Sequence, residues 1–187
     1  MNRTMRSRII LFATFLLPLA LPAQDRFATR TGHISFYSST PMEDIEAHNR
    51  KVSSVFDAGS SAIEFAVLIK SFEFKKALMQ EHFNESYMES NIYPKATFKG
   101  RVSGLPHGVI AKPGTYEVTA TGDLVIHGVS RTVTVPGRIT VNADGTLKLM
   151  GTFMVRPEDH GIKVPGMVRD NIAKEIKVTV AMDYQRM

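Results

Sequence analysis

The 187-residue chain contains no cysteine and no tryptophan. The first absence excludes disulfide bonds, paired-cysteine metal motifs and attachment of a lipid through a cysteine. An oxidising destination would add no cross-links, so stability has to come from the buried core alone. Clustered positive charge is also missing. Three of the 23 Lys and Arg residues (Arg3, Arg6 and Arg8) lie in the first 23 positions, which leaves 20 basic against 18 acidic side chains in the rest. A near-balanced chain without a basic run or Trp argues against nucleic acid as a partner.

Long apolar runs are scarce. The one present, Ile9 to Leu21, is broken only by Thr14 and Pro18. It is too short for a comfortable transmembrane helix, and no stop-transfer flank follows. With the basic start and the small-residue site Leu21-Pro22-Ala23, residues 1–23 read as an export signal. A retained anchor is the alternative. The expectation is a periplasmic or secreted protein of one domain, residues 24–187, with no stable membrane span in the mature chain.

What the mature chain does contain is alternation. Tyr116, Val118, Ala120, Gly122, Leu124 and Ile126 share one strand face, while Thr115, Glu117, Thr119, Thr121 and Asp123 share the other. After a His127-Gly128-Val129-Ser130 turn the pattern resumes over Thr132–Val141 and Leu147–Val155. Period two with one apolar face describes a sheet packed on one side and wet on the other. Further strands are expected at Thr29–Ser38, Lys51–Asp57, Ala62–Lys70, Lys95–Gly104 and Lys174–Tyr184. Asn142-Ala143-Asp144-Gly145 has hairpin-turn chemistry. Thr40-Pro41-Met42-Glu43 looks like a capping box opening a short helical turn.

One segment changes period. Met79, Phe83 and Tyr87 recur every four residues, which predicts an amphipathic helix within Phe74–Ser90, after the third strand. Arg156–Ala173 has no period, and a loop of that length in a compact domain is usually functional or disordered. The fold class is therefore all-β: an eight-stranded antiparallel lipocalin-like barrel with one amphipathic helix. A barrel of eight strands is just wide enough to be packed solid or to hold one ligand. Small residues in the inward phase (Gly100, Ala120, Gly122 and Gly151) either leave room for a ligand or mark bulges and sharp bends.

Several segments resemble the YceI-like family of exported lipocalin-like proteins. They are His82 to Ser90 with Tyr93-Pro94 and Phe98-Lys99-Gly100, then Gly122 to Arg131, which follows that family's G-x-L-T-I-x-G-V-T-K hairpin. His160-Gly161-Ile162 and Ile172 to Val178 fit later family segments loosely. Met79-Gln80-Glu81-His82-Phe83 lacks the Arg-Asp pair of many members. The resemblance implies a barrel with a helix beside it, binding an isoprenoid-type lipid in its pore. It further implies a periplasmic carrier or store for quinone-type or prenyl-phosphate lipids.

The expected pore wall comprises Ile63, Phe65, Val67, Phe98, Leu124, Ile126, Phe153 and Val178; a filled core fits the same pattern. Arg131, Arg156, His160, Lys163 and Arg169 are the candidates for a charged mouth, with ordinary surface charge as the alternative. Met79, Phe83 and Tyr87 would cover one barrel end or side. His82 and Glu85, three apart on the helix, could share a metal but lack a third ligand, so no metal or other cofactor is expected. His160 beside Glu158 and Asp159 could form an acid-base group, yet no nucleophile elbow or phosphate-cradling loop accompanies it. The chain reads as a non-enzyme. A structural or stress-related envelope protein with a packed core is the rival, and a homodimer is left open.

Overall fold

The computed structural model describes residues 25–106 and 108–187. The expected export signal at 1–23 lies outside the described residues. Among the described residues nine strands follow in order: β1 (Arg26–Ser39), β2 (Asp44–Asp57), β3 (Ala62–Leu68), β4 (Glu73–Phe74), β5 (Lys95–Ser103), β6 (Gly114–Ile126), β7 (Val129–Val141), β8 (Leu147–Val155) and β9 (Ile176–Arg186). Eight of them close an antiparallel barrel in the order β1-β9-β8-β7-β6-β5-β3-β2, with β2 pairing back onto β1. The two-residue β4 adds to β2 through Ala47–Phe74 and His48–Glu73.

The two barrel ends differ. Where β1, β3 and β8 begin and β2, β7 and β9 finish, the interior is solid. Phe27, Phe56, Ile63, Ile139, Leu147, Met182 and Tyr184 are all fully or almost fully buried there. Tyr184 brings a hydroxyl into this core and bonds it to Ser54 Oγ at 2.6 Å. Ser54 spends its own proton on the Glu64 carbonyl at 2.7 Å, so Tyr184 is the donor of the pair. Burial pushes the Tyr184 phenol well above its ordinary pKa. At the opposite end Phe36, Phe72, Phe74 and Phe83 meet with centroids 5.0 to 5.7 Å apart, and they are less deeply covered.

Three expectations change. Thr40–Glu46 is a hairpin turn running into β2, with no helix. The Thr40 hydroxyl does accept the Glu43 N–H at 3.1 Å, as a cap would. The front of β2 escapes a hydrophobic pattern because its buried positions are Ala47 and Asn49. Asn49 is satisfied internally: its amide donates to Leu68 O at 2.9 Å, and its oxygen accepts Lys51 N–H at 2.9 Å. The helix is shorter than its apolar spacing suggests. A six-residue α1 (Ala77–His82) passes into one wider π-type turn, Phe83–Tyr87. Its expected start, Phe74, is drawn into β4 and the aromatic cluster. Strand β3 also stops at Leu68, two residues early, in a 3-10 turn over Ile69–Ser71.

The β6–β7 hairpin is tighter than a four-residue turn. His127 and Gly128 both have positive φ (50° and 75°), the geometry that matches strand twist in two-residue hairpins. Thirteen residue pairs join β6 to β7. The β7–β8 ladder has only five and ends at Gly137–Gly151, beside Pro136, which has no N–H to donate. Beyond that point a 3-10 turn, Pro157–His160, crosses to the start of β7 and covers the seam.

Candidate ligand-binding cavity

All four connections at the less filled end are special: the Thr40–Glu43 turn, the segment carrying α1, the His127–Gly128 turn and the loop 156–175. All but the His127–Gly128 turn join the barrel rim in lining a cavity of about 300 Å³. A second, deeper space of about 90 Å³ lies toward the middle of the barrel. Ile34, Val67, Ala96, Leu124 and Phe153 belong to both walls and form the partition. The barrel is thus solid at one end and hollow at the other. The two readings left open by the alternation each describe half of it.

Of the eight expected wall residues, Val67, Leu124, Ile126, Phe153 and Val178 line the larger cavity, and Ile63, Phe65 and Phe98 line the smaller. Met79, Phe83 and Tyr87 reach the larger wall from the helical segment. Sequence reasoning missed Phe36, Phe72 and Phe74, and also Ile162, Val164, Val168 and Ile172 from the long loop. The Phe72-Glu73-Phe74 alternation was a usable signal. The loop residues carry none, because their apolar side chains converge without regular secondary structure.

Of the two readings left open for the inward glycines, close approach holds at Gly100 and Gly122, while Gly151 lines the smaller space. A Cβ on Gly100 would stand 2.5 Å from Thr121 O, and one on Gly122 would stand 2.3 Å from Lys99 O. These residues permit close backbone approach in a strongly coiled pair of strands.

The five cations expected at a mouth line neither cavity. Arg131 Nε donates to Asp159 O at 2.9 Å, and His160, almost fully buried, donates from Nδ1 to Val129 O at 3.1 Å. Both therefore staple the Pro157–His160 turn over the β7–β8 seam. Arg156 Nε pairs with Glu175 at 2.7 Å, and Arg169 pairs with Glu158. Lys163 is exposed. Arg131, Arg156 and Arg169 are thus taken up by carboxylates and a carbonyl of the loop, a matching that composition does not reveal. His160 hydrogen-bonds through Nδ1 to a backbone carbonyl of β7, and the Glu158 carboxylate beside it in sequence pairs with Arg169.

Among the described residues, the side chains with polar atoms that reach the larger wall are Ser38, Glu43, His82, Tyr87 and Asn171. The Ser38 hydroxyl accepts Ala173 N–H at 2.8 Å. Lys76 Nζ donates to Glu43 at 2.9 Å, bridging the β1–β2 turn to the start of α1. This bond, aided by the Asn171 side chain, holds the Glu43 carboxyl below the usual range. Among the described residues no group of three or more His, Asp or Glu side chains could hold a metal ion, so His82 and Glu85 gain no third ligand.

A hollow-ended barrel of this topology has relatives. The YceI-like domain family matches residues 23–184. The chain belongs to that family. Among solved structures, this YceI-like domain is similar to a polyisoprenoid binding domain from Saccharophagus degradans implicated in plant cell wall breakdown. The TM-score is 0.75 at 12% identity, over 88% of this chain and 99% of that one. Burkholderia cenocepacia BcnA gives 0.67 at 19% identity, over 82% and 96% of the two chains. The Campylobacter jejuni YCEI protein gives 0.55 at 13%, over 98% and 100%. At these identities the likeness establishes the shared fold. No curated protein matches the chain.

Proposed function

We propose that this YceI-like domain is an exported, non-catalytic protein that holds a long apolar chain of polyisoprenoid or quinone type, as a carrier or store. The observation that carries the reading is the cavity of about 300 Å³ at one barrel end, walled by Ile, Val, Leu, Phe and Met. That volume falls at the lower end of the range of about 300–1,000 Å³ typical of small-molecule sites. Each methylene moved from water into such a wall contributes roughly 0.8 kcal/mol, so a few isoprene units bind without any hydrogen bond. The expected wall residues Ile63, Phe65, Val67, Phe98, Leu124, Ile126, Phe153 and Val178 would contact the chain. A structural neighbour described as a polyisoprenoid binding domain supports the ligand class.

Native mass spectrometry of protein purified from its own host, read before and after organic extraction, tests the proposal. A co-purifying lipid in the prenyl mass series is expected, with reloading from a prenyl-chain panel. Protein that carries no lipid and gives no shift with any member of the panel would overturn it. Cell fractionation tests export: mature protein beginning near residue 24 is expected outside the cytoplasm.

A further inference from the structure

The smaller space, about 90 Å³, is lined on one side by Val133, Val135 and Pro136 of β7 and by Met150, Gly151 and Phe153 of β8. Pro136 and Met150 are exposed residues of the outer sheet face, so this wall passes through the sheet. It does so where the two strands are not joined. β7 runs back to Val129 and β8 on to Val155, yet their last pair is Gly137–Gly151. Toward the solid end from that pair, Ile139, Val141, Leu147 and Leu149 are buried. On its other side Val133, Val135 and Phe153, in the same inward phase, are only half-buried. The Pro157–His160 turn closes the stretch nearest the rim, through Arg131 to Asp159 O and His160 to Val129 O. Between the turn and the last pair a window is left, edged by residues 133–136 and 151–154.

There is room at the inner edge of this window. A Cβ on Gly151 would meet nothing nearer than 3.4 Å, at Pro136 O and Val135 Cγ1, which is ordinary contact. On Gly137, where the strands are still paired, it would stand 2.6 Å from Met150 O. The path is also apolar. Among the described residues lining the smaller space, Thr97 is the single one with a polar side chain. Outside, Met150 and Met154 stand exposed beside the opening, and flexible thioethers adapt to irregular apolar shapes. The far end of the barrel offers no alternative, because Phe27, Phe56, Met182 and Tyr184 fill it. The larger cavity is at the small end of the range for small-molecule sites, so added isoprene units gain burial only by passing the partition. We propose that the β7–β8 window is a second portal, occupied by the distal end of a chain too long for the larger cavity. The inference rests on the proposed prenyl-chain binding and adds the route of the tail: past the partition, across the smaller space and out between β7 and β8.

The test uses the full delipidated protein and two prenyl alcohols carrying a photoreactive diazirine at the distal end, one of farnesol length and one of solanesol length. Labelled residues are mapped by peptide mass spectrometry after irradiation. The shorter probe is expected on the larger wall, at residues such as Ile126 and Val178, and the longer at Pro136, Met150 or Met154. In displacement of a fluorescent apolar dye, the parent should bind solanesol at least about tenfold tighter than farnesol. Gly151→Leu fills the window with its Cβ in ordinary contact, and should abolish that gain. Long-probe label confined to the rim, or absent while the short probe labels the wall, would overturn the portal and leave chain binding intact. Equal affinity of the parent for both alcohols, or a gain kept by a folded Gly151→Leu variant, would overturn it too. Failure of both alcohols to label and to displace would instead remove the chain-binding reading, and the portal with it.

Discussion

Gly100 of β5 and Gly122 of β6 are cross-strand partners whose backbones approach so closely that a Cβ on Gly122 would lie 2.4 Å from the Gly100 Cα. Two facing glycines let neighbouring strands approach closely and coil sharply. Gly122→Ala is therefore a backbone clash, not the filling of an open pore. A loss of about 1–3 kcal/mol is expected, read as a lower urea midpoint at unchanged slope. A variant as stable as its parent would contradict the tight pairing.

The cavity itself is better probed at Ala96, which lies on the partition between the two spaces. Ala96→Phe adds bulk where there is room. Its thermal midpoint should stay within a few degrees of the parent, while affinity for a fluorescent apolar probe falls more than about tenfold. Retained probe affinity would place the bound chain elsewhere.

The Ser54–Tyr184 pair predicts an asymmetric response. Ser54→Ala strips the acceptor from the buried Tyr184 hydroxyl and the donor from Glu64 O, so a cost of about 1–3 kcal/mol is expected. Tyr184→Phe leaves Ser54 bonded to Glu64 O and should cost about 0.5–1.5 kcal/mol. Chemical denaturation of both singles and the double variant checks the order; equal costs would refute the donor assignment.

His33 on β1 stacks on His48 of β2, with Nε2 and Nδ1 3.1 Å apart. Burial lowers the His33 pKa from its ordinary 6.5, and the charges of Arg50 and His48 lower it further. Glu46, 3.5 Å from His48 Nε2, is the acidic member of the group. The unfolded chain thus binds the His33 proton more readily than the native one. Stability should fall as pH drops through 6.5 toward the depressed native value. Glu43, Asp57 and Asp144, whose native pKa values lie below 4.5, 3.8 and 3.8, lose their contributions only at still lower pH. Denaturation midpoints between pH 8 and 5 should decline less in His33→Gln than in the parent. Parallel curves would exclude His33 as the source.

How much could be read in advance depended on how binary each residue's choice was. Tyr116–Ile126 announced a strand because Val118 and Leu124 alternate cleanly with Glu117 and Asp123. The front of β2 hid behind Ala47 and Asn49, since a buried Asn is tolerable only when Leu68 O and Lys51 N–H arrive to satisfy it. Met79, Phe83 and Tyr87 marked an apolar face correctly, but spacing alone could not show that Phe74 would leave the helix for Phe36 and Phe83.

The linear order of residues determined that this chain would build an eight-stranded barrel, because strand faces are set by local alternation and turns by the few residues that tolerate them. Which half of that barrel stays vacant, and which charges look into it, was decided only in three dimensions. Cavities arise where rim, helical segment and loop fail to fill one another. A charge such as Arg169 or Lys76 acts through the partner that folding places beside it.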